Sequence, residues 1–372
     1  MARHAEGFAR ALGFVTLGML VLVGGATTGV VLANRHSTTS TLVAVSAPAA
    51  SGRETAQAGW AVATSSGRGV MVDIKMVTVG AARFRVVRLR SRSTLLRWHV
   101  GLGDPALYAK APADAGPAVD WSSEGRAGVV AVFNGGFKQA AKAGGSMADG
   151  FTFVAPTRGL ATIALDAGGH WAMGVWGAPN FPPPGFHPIS FRQNLPPLVR
   201  AGAPTPAASG PVLAWGSPLG NVAPEPRTGL GVDAAGNLVF VATMDHVLPI
   251  QLARALVAAG AVIGMQLDIN PYWPVLGVPT TPLHRPGRYA IGLVGANHSP
   301  NVYDTGWIRD FFVAVAEPSS FTCSWASAGL RPGAVPQAQR LRLVGRCASP
   351  TSSAPTSSAP TSTVGTTSTS AP

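Results

Sequence analysis

Short apolar runs separated by Gly and Pro fill the middle of the chain and predict β-strands. Four such runs end in turn-forming residues: 71–79, 84–89, 94–100 and 129–133. Two pairs of runs flank short turns that begin with Asp and contain Gly: 160–165 with 171–176, and 229–232 with 238–242. We expect each pair to form an antiparallel hairpin. The similar turn sequences of the two pairs indicate either an internal repeat or shared turn chemistry.

One segment has the spacing of an amphipathic helix. Pro249 precedes residues 250–259 and Gly260 follows them, which matches the preference for Pro at the start of a helix and Gly after its end. One face of this helix is apolar, with Leu252, Leu256 and Val257. A further apolar run, 262–267, predicts a strand that ends at Asp268. This unit therefore delivers a carboxylate to a strand end.

Residues 177–227 are rich in proline and too long for an idle connection in a compact domain. We predict a loop that wraps the domain and roofs a cleft. The fold class that follows from these elements is α+β: a mixed, largely antiparallel β-sheet domain with few helices. An N-terminal transmembrane helix and disordered tails are expected to flank this domain.

The N-terminal segment carries the strongest hydropathy signal. Residues 11–33 hold no charge, are long enough to span a bilayer, and follow Arg3 and Arg10. We predict an uncleaved signal anchor with residues 1–10 in the cytoplasm; the alternative is a signal peptide cleaved after Ala33. The first option makes a single-pass cell-membrane protein and the second a secreted one. Both place the remaining chain on the extracytoplasmic side.

The other boundaries follow from composition. We expect a flexible stem over 34–69, one folded domain over 70–317, a C-terminal flap over 318–348, and a disordered Ser/Thr/Pro/Ala-rich tail over 349–372. The chain has two cysteines, Cys323 and Cys347, and an extracytoplasmic compartment permits a disulfide between them.

Most of the net charge of +12 lies in the first hundred residues. The first hundred residues hold 12 basic and 3 acidic side chains, while the rest hold 16 and 13. Six arginines are expected on the solvent side of strands: Arg83, Arg85, Arg88, Arg90, Arg92 and Arg97. Because no nucleic-acid reader motif accompanies this charge, we expect no nucleic-acid partner. Phosphate-binding glycine loops and helical zinc motifs are also missing from the sequence, so we expect no cofactor and no metal.

Three sequence blocks carry a resemblance to a known family. Residues 130–137 read Val-Ala-Val-Phe-Asn-Gly-Gly-Phe, residues 227–232 read Arg-Thr-Gly-Leu-Gly-Val, and residues 265–268 read Met-Gln-Leu-Asp. In this order and spacing, and with Arg-Asp-Phe-Phe at 309–312, the chain resembles the phosphodiester glycosidase family over roughly residues 70–317. The resemblance implies an extracytoplasmic α+β domain that hydrolyses a sugar-1-phosphodiester.

The chain departs from the family pattern directly after Asp268. The family has a glycine-rich loop there, whereas this sequence reads Asp-Ile-Asn-Pro-Tyr-Trp. Ile269 and Pro271 remove backbone freedom and one N–H donor from the loop. Asn270 adds a polar group, and Trp273 offers a stacking surface for a sugar ring.

The candidate site residues follow from this chemistry. Asp268 is the first candidate for the catalytic carboxylate and Asp245 the next, and the neighbouring His246 is a candidate acid or base near neutral pH. The candidate substrate-binding residues are Asn134, Gly135, Gly136, Arg227, Asn270 and Trp273, because backbone amides at a strand end and a forked guanidinium suit a phosphate. Each has a structural alternative: a cap for Asp268 and Asp245, a surface histidine, a tight turn at Asn-Gly-Gly, and a solvated arginine.

Two functions of different classes remain open. One is a membrane-anchored hydrolase, a glycosidase that cleaves sugar-1-phosphodiesters in envelope glycans or glycolipids. The other is a non-catalytic domain of the same fold that binds envelope glycans. The expected partners are therefore the membrane and a glycan or sugar phosphate.

Overall fold

The computed structural model describes residues 59–67, 69–105, 116–221, 223–293 and 298–317. The predicted signal anchor, most of the stem, the flap with both cysteines and the tail lie outside the described residues. Within the described ranges, no helix is long and apolar enough to cross a membrane.

Eighteen strands and three short α-helices form the described part of the chain. The strands are β1 Ala61–Ser66, β2 Gly69–Val79, β3 Ala82–Leu89, β4 Thr94–His99, β5 Val129–Asn134, β6 Ser146–Ala148, β7 Phe151–Val154, β8 Ala161–Leu165, β9 Trp171–Val175, β10 Ser190–Gln193, β11 Val199–Arg200, β12 Ala203–Pro204, β13 Glu225–Asp233, β14 Leu238–Val247, β15 Ala261–Ile269, β16 Leu276–Val278, β17 Ile291–Leu293 and β18 Phe311–Ala316. The helices are α1 Glu124–Ala127, α2 Pro249–Ala258 and α3 Val302–Thr305. Four 3₁₀ turns join them at Gln139–Ala141, Pro206–Ser209, Val212–Trp215 and Leu219–Asn221.

The strands form three sheets. The largest has the order β1-β2-β3-β14-β13-β15-β11-β12, the second β17-β16-β5-β18-β4, and the third β7-β6-β10-β8-β9. Every pairing between these strands is antiparallel, and the one parallel bridge among the described residues joins Asp104 to Arg309. The expected α+β, largely antiparallel fold with few helices is confirmed, although the sheets are not mixed.

One central core lies between the three sheets. Phe240 of the first sheet, Phe133 of the second and Ile163 of the third all belong to it and are fully buried. Strand β18 is apolar along its whole length because alternate residues face opposite ways. Phe312 enters the central core, whereas Phe311 packs in a second apolar cluster on the other side of its sheet. Such strands therefore appear in the sequence as continuous apolar runs.

Helix α2 lies on the outer face of the largest sheet. Leu252 and Leu256 pack against Val239 and Val241 of β14, and all four are fully buried. The helix begins at Pro249 and ends one residue before the predicted end, followed by Gly260 at φ 97°. The helix and the strand after it are confirmed.

The two predicted hairpins are also confirmed, as β8 with β9 and β13 with β14. Each turn begins with an aspartate whose Oδ1 accepts a backbone N–H four residues later: Asp166 from His170 and Asp233 from Asn237. Because the hairpins belong to different sheets, shared turn chemistry accounts for their similar sequences.

Two expectations about polar segments are wrong. Residues 177–227 are not a simple wrapping loop, because they supply β10 to the interior of the third sheet and β11 and β12 to the edge of the first. The arginines of β3 and β4 are not all on the solvent side. Arg88 and Arg90 are buried around Asp73, at 2.9 and 2.6 Å, and Arg97 is buried against the hairpin turn at Gly168.

Candidate active site

A β-bulge sets the direction of Asp268. Arg227 of β13 lies opposite Ile269 of β15, and Gly229 lies opposite Gln266, so β15 has one extra residue between these pairs. Leu267 and Asp268 consequently share Thr228 as their partner. A bulge of this kind re-aims side chains, and here it turns Asp268 away from the face that carries Gln266 and Ile269.

The carboxylate of Asp268 is buried beside one arginine. Its Oδ2 lies 2.6 Å from the guanidinium of Arg309, and its Oδ1 accepts the N–H of Ile269 at 2.9 Å. Burial raises the pKa of Asp268 from 3.8 to about 7, and Asp310 adds to this, while Arg309 and Arg192 act in the opposite direction. Asp268 can therefore gain or lose a proton near neutral pH.

A second buried carboxylate, Asp310, collects three donors on one oxygen. Its Oδ2 accepts from the Arg192 guanidinium at 2.8 Å, from the Trp98 indole at 3.0 Å and from the Gly136 N–H at 3.0 Å. Its Oδ1 is buried with no hydrogen-bond partner among the described residues. Three hydrogen bonds to one oxygen hold this carboxyl group in place beside Asp268.

The Asn-Gly-Gly-Phe loop connects the two carboxylates. Asn134 Nδ2 donates to Thr228 Oγ1 at 2.9 Å, and Thr228 Oγ1 donates to the backbone oxygen of Asp268 at 2.8 Å. The N–H of Asp268 donates to the oxygen of Gly135 at 3.1 Å. The first and third sequence blocks are thus joined through the second.

The two glycines of this loop are required by close packing. A Cβ on Gly135 would lie 2.2 Å from Asp310 Oδ2, and one on Gly136 would lie 2.9 Å from the Arg192 guanidinium. The N–H groups of Gly135, Gly136 and Phe137 all donate within the protein, to Asp310 O, Asp310 Oδ2 and Asn194 Oδ1. These amides therefore do not face a ligand as the sequence suggested; they hold the site together.

Aromatic rings lie beside the Asp268–Arg309 pair. The guanidinium of Arg309 sits over the ring of the half-buried Trp273, 4.7 Å from its centroid. Trp273 stacks with His298 and contacts Trp307 edge to face, with centroids 6.3 and 6.2 Å away. Lys138 approaches the same tryptophan ring at 5.9 Å. This group of rings suits the faces of a sugar.

A second aromatic stack supports the site from below. Phe311, next to Asp310 in sequence, stacks on His99 at 4.7 Å and on Tyr303 at 4.4 Å. Burial disfavours protonation of His99, but the Glu124 carboxylate 2.8 Å from its Nε2 raises the pKa of this histidine above its ordinary value. Its Nδ1 faces the oxygen of Gly116 at 2.8 Å, so both ring nitrogens meet acceptors. The contacts of both ring nitrogens therefore favour the protonated form of His99.

Arg227 lies apart from the Asp268 carboxylate, on the other face of the bulged strand pair. It is fully buried and donates to the oxygens of Val247 and Trp215 and to Gln266 Oε1, at 2.9, 3.3 and 2.8 Å. Burial lowers its pKa to about 10. These contacts connect the end of β14 and the 212–215 turn to β15. Arg227 is therefore a structural residue, and both predicted roles, a phosphate ligand and a solvated arginine, are wrong.

The other predicted residues divide between the site and the surface. Asp245 and His246 are exposed; Asp245 Oδ2 accepts the N–H of Arg83 and His246 Nδ1 lies 2.9 Å from the oxygen of Pro224. No hydrogen bond or ion pair in the described part of the chain links either residue to Asp268. Asn270 adopts φ 73° and donates its N–H to the oxygen of Pro226, so it forms the turn after the strand.

Comparison with known proteins finds similar solved structures at low sequence identity. No family model and no curated protein matches the chain. A similar solved structure is the catalytic domain of zebrafish N-acetylglucosamine-1-phosphodiester alpha-N-acetylglucosaminidase, auto-inhibited by its pro-peptide. It is 12% identical, has a TM-score of 0.42, and the alignment covers 69% of this chain and 87% of that one. The similarity does not show membership of a family.

Two other solved structures have similar values. A hypothetical protein from Synechocystis is 14% identical with a TM-score of 0.42, over 66% of this chain and 62% of that one. A protein described as a putative exported protein from Burkholderia pseudomallei is 11% identical with a TM-score of 0.34, over 68% and 76%.

Sequence reasoning missed several residues of the site. Arg192 and Asn194 lie in the proline-rich segment, where alternation of apolar and polar residues over 189–192 is a weak strand signal. Arg309 and Asp310 are neighbours in sequence but serve different partners: Arg309 pairs with Asp268 and Asp310 with Arg192. Among the described residues, no group of three or more His, Cys, Asp or Glu side chains is arranged to hold a metal ion.

Proposed function

We propose that the protein is a hydrolase that cleaves the bond between a sugar C1 and a phosphodiester oxygen. The observation that carries this proposal is the hydrogen-bonded path from Asn134 through Thr228 to Asp268, which unites three blocks that are far apart in sequence. The blocks by which the sequence resembles phosphodiester glycosidases therefore converge on one buried carboxylate. That carboxylate is the natural reaction centre.

The proposed chemistry needs little acid assistance. Water attacks C1, the bond from C1 to the phosphate oxygen breaks, and the products are the free sugar, a phosphate monoester and one proton. A phosphate is a good leaving group, so the protein mainly has to stabilise positive charge at C1 and orient the water. In its ionised form Asp268 suits both tasks. Activity should therefore rise with pH, with a midpoint near the pKa of about 7.

Asp310 and Arg192 position the reacting groups. Asp310 fixes the Gly136 backbone, and Gly136 accepts a hydrogen bond from Arg309 at 2.9 Å. Arg309 in turn holds the Asp268 carboxylate. Loss of Asp310 would consequently displace the arginine that orients the catalytic carboxylate.

One observation favours the alternative, a glycan-binding domain without catalysis. The loop amides of residues 135–137 all donate hydrogen bonds within the protein, and the Asp268 carboxylate already forms an ion pair with Arg309. Both facts leave the aromatic group at Trp273 as the more accessible feature. A binding protein needs only that group.

Turnover separates the two functions. The purified full-length protein is incubated with a panel of fluorogenic sugar-1-phosphodiesters, beside Asp268→Asn and the surface variant Asp245→Asn. We expect hydrolysis by the wild type and by Asp245→Asn, and a loss of at least about a hundredfold in kcat/KM for Asp268→Asn. Binding of the sugars without any hydrolysis would reject the proposal in favour of the glycan-binding function.

We also propose that the domain acts outside the cytoplasm, held at the membrane by residues 11–33. The support is the uncharged length of this segment between basic residues. External protease should then digest the domain in whole cells while the protein fractionates with membranes at 37.9 kDa. Soluble protein that begins near Asn34 would instead show cleavage.

A further inference from the structure

Two cations approach the same aromatic ring at the edge of the site. The Arg309 guanidinium lies 4.7 Å and the Lys138 ammonium 5.9 Å from the centroid of Trp273. The two charges can be separated by no more than the sum of these distances. The two cationic side chains therefore lie around one half-exposed ring.

The charge of Lys138 is available to a ligand. Lys138 directly follows the Asn-Gly-Gly-Phe block and is exposed, and its ammonium makes no ion pair or hydrogen bond with the described residues. The carboxylate of Asp104, which contacts the next residue, accepts the N–H of Gln139 on both oxygens at 3.0 and 3.1 Å. That carboxylate is committed to the backbone.

Arg309 is less available, since it is buried and paired with Asp268. Its Nε has no hydrogen-bond partner in the part of the chain that the structure describes. Because Asp268 offsets the charge of Arg309, direct contact with a phosphoryl group falls to the exposed lysine.

We propose that Lys138 binds the phosphoryl group of the substrate over Trp273 and so selects sugar phosphates against neutral sugars. The inference deepens the proposed function and rests on it for turnover, although binding can be tested alone. It assigns to Lys138 the role that the sequence suggested for Arg227, whose guanidinium is fully buried. A phosphate at Lys138 would lie next to the Asp268–Arg309 pair, where C1 must be placed.

Calorimetric titration of the full-length protein tests the assignment. A panel of sugar 1-phosphates is compared with the corresponding neutral methyl glycosides, for the wild type, Lys138→Gln, Lys138→Arg and Lys142→Gln. Lys142 is the matched control because it is also exposed and directly follows the 3₁₀ turn Gln139–Ala141, which Lys138 directly precedes. Melting temperatures confirm that each variant is folded.

We expect Lys138→Gln to weaken binding of the sugar phosphate by about tenfold. Binding of the neutral glycoside should not change, Lys138→Arg should recover most of the loss, and Lys142→Gln should match the wild type. Equal affinities of Lys138→Gln and Lys142→Gln would overturn the inference, as would a wild type that binds no sugar phosphate better than its neutral glycoside.

The two proposals fail in different ways. If the wild type binds sugar phosphates through Lys138 but hydrolyses no diester, the proposed activity is rejected and the phosphoryl site stands. If it hydrolyses diesters and Lys138→Gln has the KM of the control, the activity stands and the assignment of Lys138 is rejected.

Discussion

Asp268 is subject to two opposing influences, and its titration shows which of them is larger. Removal from water raises the pKa of the buried carboxylate, while the guanidinium of Arg309 at 2.6 Å lowers it. The replacement Asp268→Asn keeps the volume and removes the titration. The pH dependence of stability in the two proteins therefore isolates the net effect.

The expected sign follows from proton binding. Folded protein keeps the proton on Asp268 up to about pH 7, whereas the unfolded chain releases it near 3.8. Between these values the folded state binds more protons, so the free energy of unfolding of the wild type falls as pH rises through this window. The interval corresponds to about 4 kcal/mol in total. The Asp268→Asn variant lacks this decrease.

Urea unfolding of both proteins at intervals from about pH 4 to about pH 8 measures the effect. The difference in unfolding free energy should move in favour of the variant by about 4 kcal/mol as pH rises across this range. The control is Asp120→Asn. Burial raises the pKa of Asp120, but hydrogen bonds from Ser122 and Ser123 lower it below its ordinary value. The difference in unfolding free energy between Asp120→Asn and the wild type should therefore be constant above about pH 5. A constant difference for Asp268→Asn as well would show that Arg309 outweighs burial.

Three further outcomes are expected. Gly135→Ala should lower stability by about 1–3 kcal/mol in thermal melts, because its Cβ meets a buried carboxylate. The control Gly67→Ala, whose Cβ meets open space, should stay within about 0.5 kcal/mol, and equal losses in the two variants would contradict the packing argument. Arg227→Met should destabilise the protein by about 3 kcal/mol without raising KM, since it removes donors from two buried carbonyls; a raised KM in a stable variant would restore a binding role. Asp245→Asn and His246→Gln should keep kcat/KM within about twofold, and a hundredfold loss would place them in the site.

The sequence predicted the fold wherever one local signal decided the structure. Helix α2 lies between Pro249 and Gly260, and both hairpin turns begin with an aspartate that binds its own loop. These signals act within a few residues, so long-range packing did not need to be known. The central position of Asp268 followed in the same way, from an apolar strand that ends in a carboxylate.

The partners of Asp268 depend on contacts between distant segments. Arg309 and Asp310 are neighbours in sequence, and nothing local shows that they serve different partners. Arg192 lies in a stretch whose prolines conceal strand β10. Arg227 looked like a phosphate ligand because arginine before a strand is usually exposed, yet strand pairing buries it completely.

The direction of the Asp268 side chain depends on the extra backbone residue in β15 rather than on the choice of side chain. Side-chain alternation in a regular antiparallel pair would place Gln266 and Asp268 on the same face, and the acid would then lie with the buried Arg227. A chain that kept all four residues of Met-Gln-Leu-Asp but paired them without the bulge would therefore keep the fold and the motif and lose the chemistry.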